Sequence, residues 1–249
     1  MKKLKSILKL FFPKILVKVY HVIQIRLFGI EYKFTGMNSP DIFDKIYKEA
    51  IWGEDKLGNP TSGYGSYKNA IVNPYIKEVK KIIREIHCST IVDLGCGDFN
   101  IGKNFIDDCG KYLACDISRF ILKQNRQAYK FENLQFRQIN IAEDELPTGN
   151  LAFIRLVLQH LSNTEIKNFV DNLNKYKPYK YLLVTEHISS ASGYQPNLDK
   201  PSGSNIRLLI NSAVEVDKKP FNLEFKSKRI ICDVEINRIG NIQTMLYEL

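Results

Sequence analysis

Apolar positions along the chain change period in a regular way. Ile76, Val79, Ile82, Ile83 and Ile86 recur at helical spacing, so the pattern predicts a helix running to about His87. Short apolar runs follow at Thr90–Leu94, Tyr112–Asp116, Leu134–Ile139, Leu151–Val157 and Tyr181–Glu186. Amphipathic stretches separate several of them, notably Arg119–Lys130 and Thr164–Tyr176, the latter preceded by the capping types Ser162 and Asn163. Strand–helix alternation of this kind predicts an α/β fold, a doubly wound and mostly parallel sheet covered on both faces. Further on, Arg229–Asn237 and Ile242–Glu248 flank Ile239-Gly240-Asn241. That pattern reads as a C-terminal antiparallel hairpin closing one edge of the sheet.

The rest of the chain follows other rules. Residues 1–36 place Ile7, Leu8, Leu10, Phe11, Phe12, Ile15, Leu16 and Val19 among lysines, as an N-terminal helical arm would. Residues 37–68 mix Phe43, Tyr47, Trp52, Tyr64 and Tyr67 with the loop run Ser62-Gly63-Tyr64-Gly65-Ser66. Two units are therefore expected: residues 1–68, an arm and covering segment, and residues 69–249, the α/β domain. The arm's pattern suits two roles, packing as a lid or a peripheral contact with an anionic membrane surface through residues 1–28. Its apolar runs are broken by Lys9, Lys14, Lys18 and Arg26, short of the about 20 apolar residues of a spanning helix.

Charge sharpens this division. The chain of 249 residues carries a formal +9, but residues 1–36 hold eight Lys or Arg against Glu31 alone. The remaining 213 residues hold 28 basic and 26 acidic groups, so the body is nearly neutral. A nucleic-acid partner is not expected, because such proteins spread basic groups over a groove-sized face. The five cysteines are odd in number and form no C-x-x-C pair. Reduced thiols and a cytoplasmic location, at most peripheral at the inner membrane, fit that usage.

The candidate chemistry lies at Ile91-Val92-Asp93-Leu94-Gly95-Cys96-Gly97-Asp98, where an apolar strand ends in an acid and enters Gly-x-Gly. Asp116 ends the next strand 23 residues after Asp93, where a carboxylate can accept hydrogen bonds from ribose hydroxyls. A dinucleotide fingerprint wants a third small residue where this chain has Asn100, and the Gly-Lys-Ser/Thr of a P-loop is absent. Asp93 would repel a pyrophosphate. A cofactor with a positively charged amine and no phosphates suits it better.

These residues resemble the class I S-adenosylmethionine-dependent methyltransferases, over roughly residues 70–187 plus the terminal hairpin. The resemblance implies the Rossmann-like methyltransferase fold, a doubly wound seven-stranded sheet ended by the terminal hairpin, and S-adenosylmethionine as cofactor. It places Asp93, Gly95, Cys96 and Gly97 beside the methionine part, Asp116 at the ribose and Asn140 or Ile141 near adenine, with Ile117 also among the cofactor-binding residues. The chain departs from the family at Asn140, where many members have Asp, and at Phe99, where many have a third Gly. Phe43–Trp52-Gly53 followed by Ser62–Ser66, and Arg155–Leu161, are similar to methyltransferases of bacterial surface-polysaccharide gene clusters. There Leu156 stands where an acid is expected after Arg155. That likeness implies O-methylation of a sugar or nucleotide-sugar precursor, the alternatives being a phosphorylated or phosphoramidate capsule precursor or a non-catalytic subunit.

Gly63 and Ser66 are expected to meet the cofactor's carboxylate end through backbone N–H groups. His160 and His187 follow the fourth and fifth strands, at the carboxyl-end rim where ligands bind in open α/β sheets, and are the candidate bases. Arg155 and, in the polar loop Ser189–Arg207, Asn197, Asp199 and Arg207 are the expected acceptor-binding residues. No ligand spacing demands a metal.

Overall fold

The computed structural model describes residues 31–236 and 240–249, together with Ile23. The arm expected over residues 1–28 lies outside the described residues apart from Ile23, as does the hairpin turn at Asn237–Ile239. After a short 3-10 turn at Tyr32–Phe34 come α1 (Ser39–Lys48), the one-turn α2 (Tyr64–Tyr67) and α3 (Asn69–Glu85). The alternating region supplies β1 (Thr90–Leu94), β2 (Lys111–Asp116), α4 (Arg119–Ala128), β3 (Leu134–Gln138), β4 (Gly149–Arg155), α5 (Asn163–Tyr176) and β5 (Tyr179–Ser189). The chain closes with β6 (Ser227–Glu235) and β7 (Gly240–Glu248).

The seven strands lie in the order β3-β2-β1-β4-β5-β7-β6. The first five are parallel, and β7 runs antiparallel to both β5 and β6. Order reverses between β1 and β4, the switch point where open α/β sheets leave a crevice at their carboxyl ends. Among the described residues no helix is long and apolar enough to cross a membrane.

Side-chain alternation along β1 supplies two cores. Ile91 packs with Val79, Ile82, Ile83, Phe105 and Tyr112 on the α3 face. Val92 and Leu94 point the other way, toward Ile166, Phe169, Val170 and Leu173 of α5. Phe34, Ile42, Phe43 and Ile46 join that second core, so residues 31–48 pack as part of the same body.

Two local devices orient the site. Ser162 and Glu165 form a capping box at the start of α5. Glu165 also accepts from the hydroxyls of Ser39 and Ser202, which ties α1 and a distant loop to that helix end. At the head of α4, Asp44 of α1 accepts from Ser118 Oγ at 2.7 Å and Phe120 N at 3.1 Å, a carboxylate placed at a helix N-terminus. Pro74 sits inside α3, which begins five residues earlier at Asn69.

Candidate active site

A cavity of about 300 Å³ opens at the carboxyl ends of β1, β2, β4 and β5. Its floor is the turn after β1. Gly95 has φ +87° and Gly97 φ +55°, and neither has room for a side chain. A Cβ on Gly95 would overlap Val157, and one on Gly97 would overlap Ser62 Oγ. Glycine is the residue that takes this backbone without strain.

Two buried carboxyls flank the turn. Asp93 Oδ2 accepts from Tyr112 Oη at 2.9 Å. Burial pushes its carboxyl up to about 7, the Tyr112 hydrogen bond opposing the rise and Asp116 adding to it. Asp116 accepts from Gly97 N and Ser118 N, each at 2.9 Å, so it shapes the glycine turn as well as facing the cavity. Burial raises it to about 6 against those hydrogen bonds. Phe43, Ile117, Ile139 and Ile141 form an apolar slot along the wall, with Asn140 at its edge. Asn140 Oδ1 accepts from Ala142 N at 3.1 Å, which turns its own loop.

Residues 62–66 lie across the glycine turn. Ser62 and Asp98 clasp each other, Ser62 N donating to Asp98 Oδ2 at 2.8 Å and Asp98 N to Ser62 Oγ at 2.9 Å. Asn100 Nδ2 donates to Ser66 O, and Arg155 Nη2 to Gly65 O, both at 2.7 Å. Gly63 and Ser66 therefore line the cavity. The N–H of Ser66 is directed to Gly63 O at 3.0 Å, however, so it is not the free donor expected of it. One-turn helix geometry uses that N–H internally.

The opposite wall is aromatic and imidazole. Trp52 meets Tyr47 edge-on at 5.4 Å and packs at 4.8 Å against the ring of His160, and its indole N–H donates to Ser204 O at 3.2 Å. His187 lines the same cavity, its Nδ1 against Gln159 Oε1. Burial holds both rings well below the usual imidazole range, His160 to about 3 and His187 to about 4, so both are neutral at pH 7. Lys200 and His187 add to the depression at His160, and Arg155 at His187. The Arg155 guanidinium lies 4.7 Å from the Tyr75 ring, and among the described residues its buried Nε has no hydrogen-bond partner.

Three expected acceptor residues are elsewhere. Asn197 Nδ2 donates to Glu215 O and Lys219 O, while its Oδ1 accepts from Glu215 N. Asp199 Oδ1 accepts from Asn163 N and Lys200 N at 2.8 Å. Arg207, 1% exposed, donates to the carbonyls of Leu161 and Leu198. None of the three is among the residues lining the cavity. The physical reason is common to all: a long irregular segment has no ladder for its backbone groups, so polar side chains satisfy them. The loop still reaches the cavity, through Ser204 and Ile206. Sequence patterning missed those two, along with Tyr75, Gln159 and the inward role of Phe43, Tyr47 and Trp52. The aromatic density of residues 37–68 was the one available signal. Among the described residues no group of three or more His, Cys, Asp or Glu could hold a metal.

No protein-family model and no curated protein matches the chain by sequence. Solved structures do resemble it. Human N-acetylserotonin methyltransferase, in complex with S-adenosylmethionine, matches at TM-score 0.56 and 14% identity, covering 92% of this chain and 64% of that one. Magnesium protoporphyrin IX methyltransferase from Synechocystis, with bound S-adenosylhomocysteine, matches at 0.53 and 11%, covering 84% and 98%. The N-terminal domain of EvdMO1, in the presence of S-adenosylhomocysteine and D-fucose, matches at 0.50 and 11%, covering 86% and 99%. The chain has the Rossmann-like methyltransferase fold.

Proposed function

We propose that the chain is an S-adenosylmethionine-dependent O-methyltransferase acting on a sugar or nucleotide-sugar precursor of surface polysaccharide. The observation that carries the reading is the pair Asp93 and Asp116, two buried carboxyls that form no ion pair among the described residues, with only Arg155 near enough to steady Asp93, beside a glycine turn too tight for any side chain. Such a site favours a ligand that brings positive charge and little negative charge. S-adenosylmethionine, with an amine and a sulfonium, fits. Asp116 would take the ribose hydroxyls, Asp93 the cationic end, and the Phe43, Ile117, Ile139 and Ile141 slot the adenine ring. When bound, the cofactor supplies an electrophilic methyl group.

This chain's residues then have three tasks. Residues 62–66 and Trp52 exclude water from the cavity. Arg155, Tyr75 and Ser204 orient the acceptor. His187, neutral at pH 7, takes the proton from the acceptor hydroxyl as the oxygen is methylated. The sugar assignment rests on the resemblance to surface-polysaccharide enzymes, and a structural neighbour studied with D-fucose supports it. A negatively charged acceptor is the second reading, favoured by the unpartnered Arg155 Nε at the cavity wall. It would need no base.

Transfer of labelled methyl from S-adenosylmethionine into host extract, fractionated into small molecules, glycan, nucleic acid and protein, tests the proposal. Label is expected in the small-molecule or glycan fraction; label confined to protein or nucleic acid would overturn the acceptor class. The His187→Phe variant separates the two readings, losing about 100-fold or more in kcat for an alcohol and little for an anionic oxygen.

A further inference from the structure

Gln159 stands between the two candidate bases, and its amide has only one chemically consistent orientation. Leu156, at φ +56°, presents its carbonyl to one end of that amide at 3.2 Å. A carbonyl oxygen only accepts, so the facing atom is the amide nitrogen, Nε2. The other end is therefore Oε1, which also only accepts, and it meets His187 Nδ1. His187 must carry its proton on Nδ1 and keep the lone pair on Nε2. On its other side, Gln159 Nε2 lies 3.3 Å from His160 Nε2. An amide nitrogen donates, so His160 Nε2 is an occupied acceptor and its proton is on Nδ1. Among the described residues that nitrogen has no hydrogen-bond partner, so the His160 tautomer rests on the Gln159 contact alone.

We propose that Gln159 is a positioning residue that fixes both imidazole tautomers. It reserves His187 Nε2 as the imidazole lone pair open to the acceptor and commits His160 to supporting Trp52. The role at the reaction rests on the O-methyltransferase reading above; the tautomers do not. The charged groups around the pair are Arg155 near His187, Lys200 near His160, and Glu186, which faces Arg155 and Arg207. Leu156 gains a function here as well. Its left-handed backbone aims the carbonyl that orients Gln159, a part its apolar side chain does not reveal.

A free imidazole favours the proton on Nε2, so the proposal is directly visible by NMR of the whole chain labelled with 15N-histidine. The four histidines are few enough to assign with His160→Phe and His187→Phe. In the ligand-free protein at pH 7.5, His187 and His160 are both expected to show a protonated Nδ1 and a lone-pair Nε2. A protonated Nε2 on His187 would overturn the proposal. Gln159→Met keeps the length and loses both amide functions; its His187 should revert toward Nε2–H, with kcat down about tenfold or more and the S-adenosylmethionine Kd unchanged. Gln159→Glu keeps the acceptor for His187 Nδ1. It should retain the His187 tautomer, recover part of kcat and move the acidic limb of the pH–rate profile upward. Unchanged tautomers in Gln159→Met would contradict the assignment. Predicted tautomers in a chain that transfers no methyl group would count against the methyltransferase reading and leave the role of Gln159 in place.

Discussion

At the scale of single residues, the site is governed by what burial does to charge. Asp93 and Asp116 are raised to about 7 and about 6, above the ordinary carboxylate range near 4. A cationic ligand needs both ionised. Binding must therefore release protons, and affinity for S-adenosylmethionine should tighten as pH rises from 6 to 8. Calorimetric titration in buffers of different ionisation enthalpy checks this; a Kd that is flat over that range would remove the coupling. The same shifts have the opposite sign for the ligand-free protein. A carboxyl whose folded pKa is raised contributes stability below its unfolded value, and that contribution is lost as pH rises through the folded one. Asp93→Asn should accordingly raise the melting temperature of the ligand-free chain at pH 8 while weakening S-adenosylmethionine about tenfold or more, roughly the loss of 1.4 kcal/mol of binding energy. A fall in melting temperature would show that Asp93 is held by Tyr112 more strongly than burial opposes it. Sequence reading reached Asp93, Asp116 and both histidines because strand ends in this topology face one rim. It misplaced Asn197, Asp199 and Arg207, since a loop residue bonded to its own backbone is the same letter as one facing a ligand.

At the scale of elements, the period of apolar residues located every strand, and β1 matches its expected bounds at Thr90–Leu94. The expected Leu151–Val157 strand ends instead at Arg155, because Leu156 turns to positive φ and Leu158–His160 coils into a 3-10 turn. That break places Gln159 and His160 at the cavity, and the apolar letters of Leu156, Val157 and Leu158 conceal it. The start of α5 was legible from Ser162, and Ser162→Ala should cost about 1 kcal/mol of stability, measured by urea unfolding; no change would mean Glu165 holds the helix end alone. The covering segment makes a separate prediction. Asp98→Ala removes one half of the Ser62 clasp, so the S-adenosylmethionine Kd should rise about tenfold with little change in melting temperature. An unaltered Kd would show that residues 62–66 stay in place without it.

At the scale of the whole molecule, an α/β alternation closed by an antiparallel pair is a global property that local patterning could state. The covering segment was expected, but its seating was not, because its aromatic residues carry no period and their contacts with His160 and the glycine turn after β1 are long-range. Charge is uneven at this scale, concentrated in residues 1–36, while the remaining body is near neutral. Labelled methyl should for that reason be absent from the nucleic-acid fraction of an extract. The proposed function depends on one ligand preference, that the turn after β1 accepts a cationic, phosphate-free nucleoside and rejects a pyrophosphate. The direct measurement is calorimetric titration of the purified chain at pH 8 with S-adenosylmethionine and, in parallel, with NAD. The account predicts saturable one-site binding of S-adenosylmethionine and no heat from NAD; binding of NAD with none of S-adenosylmethionine would contradict it.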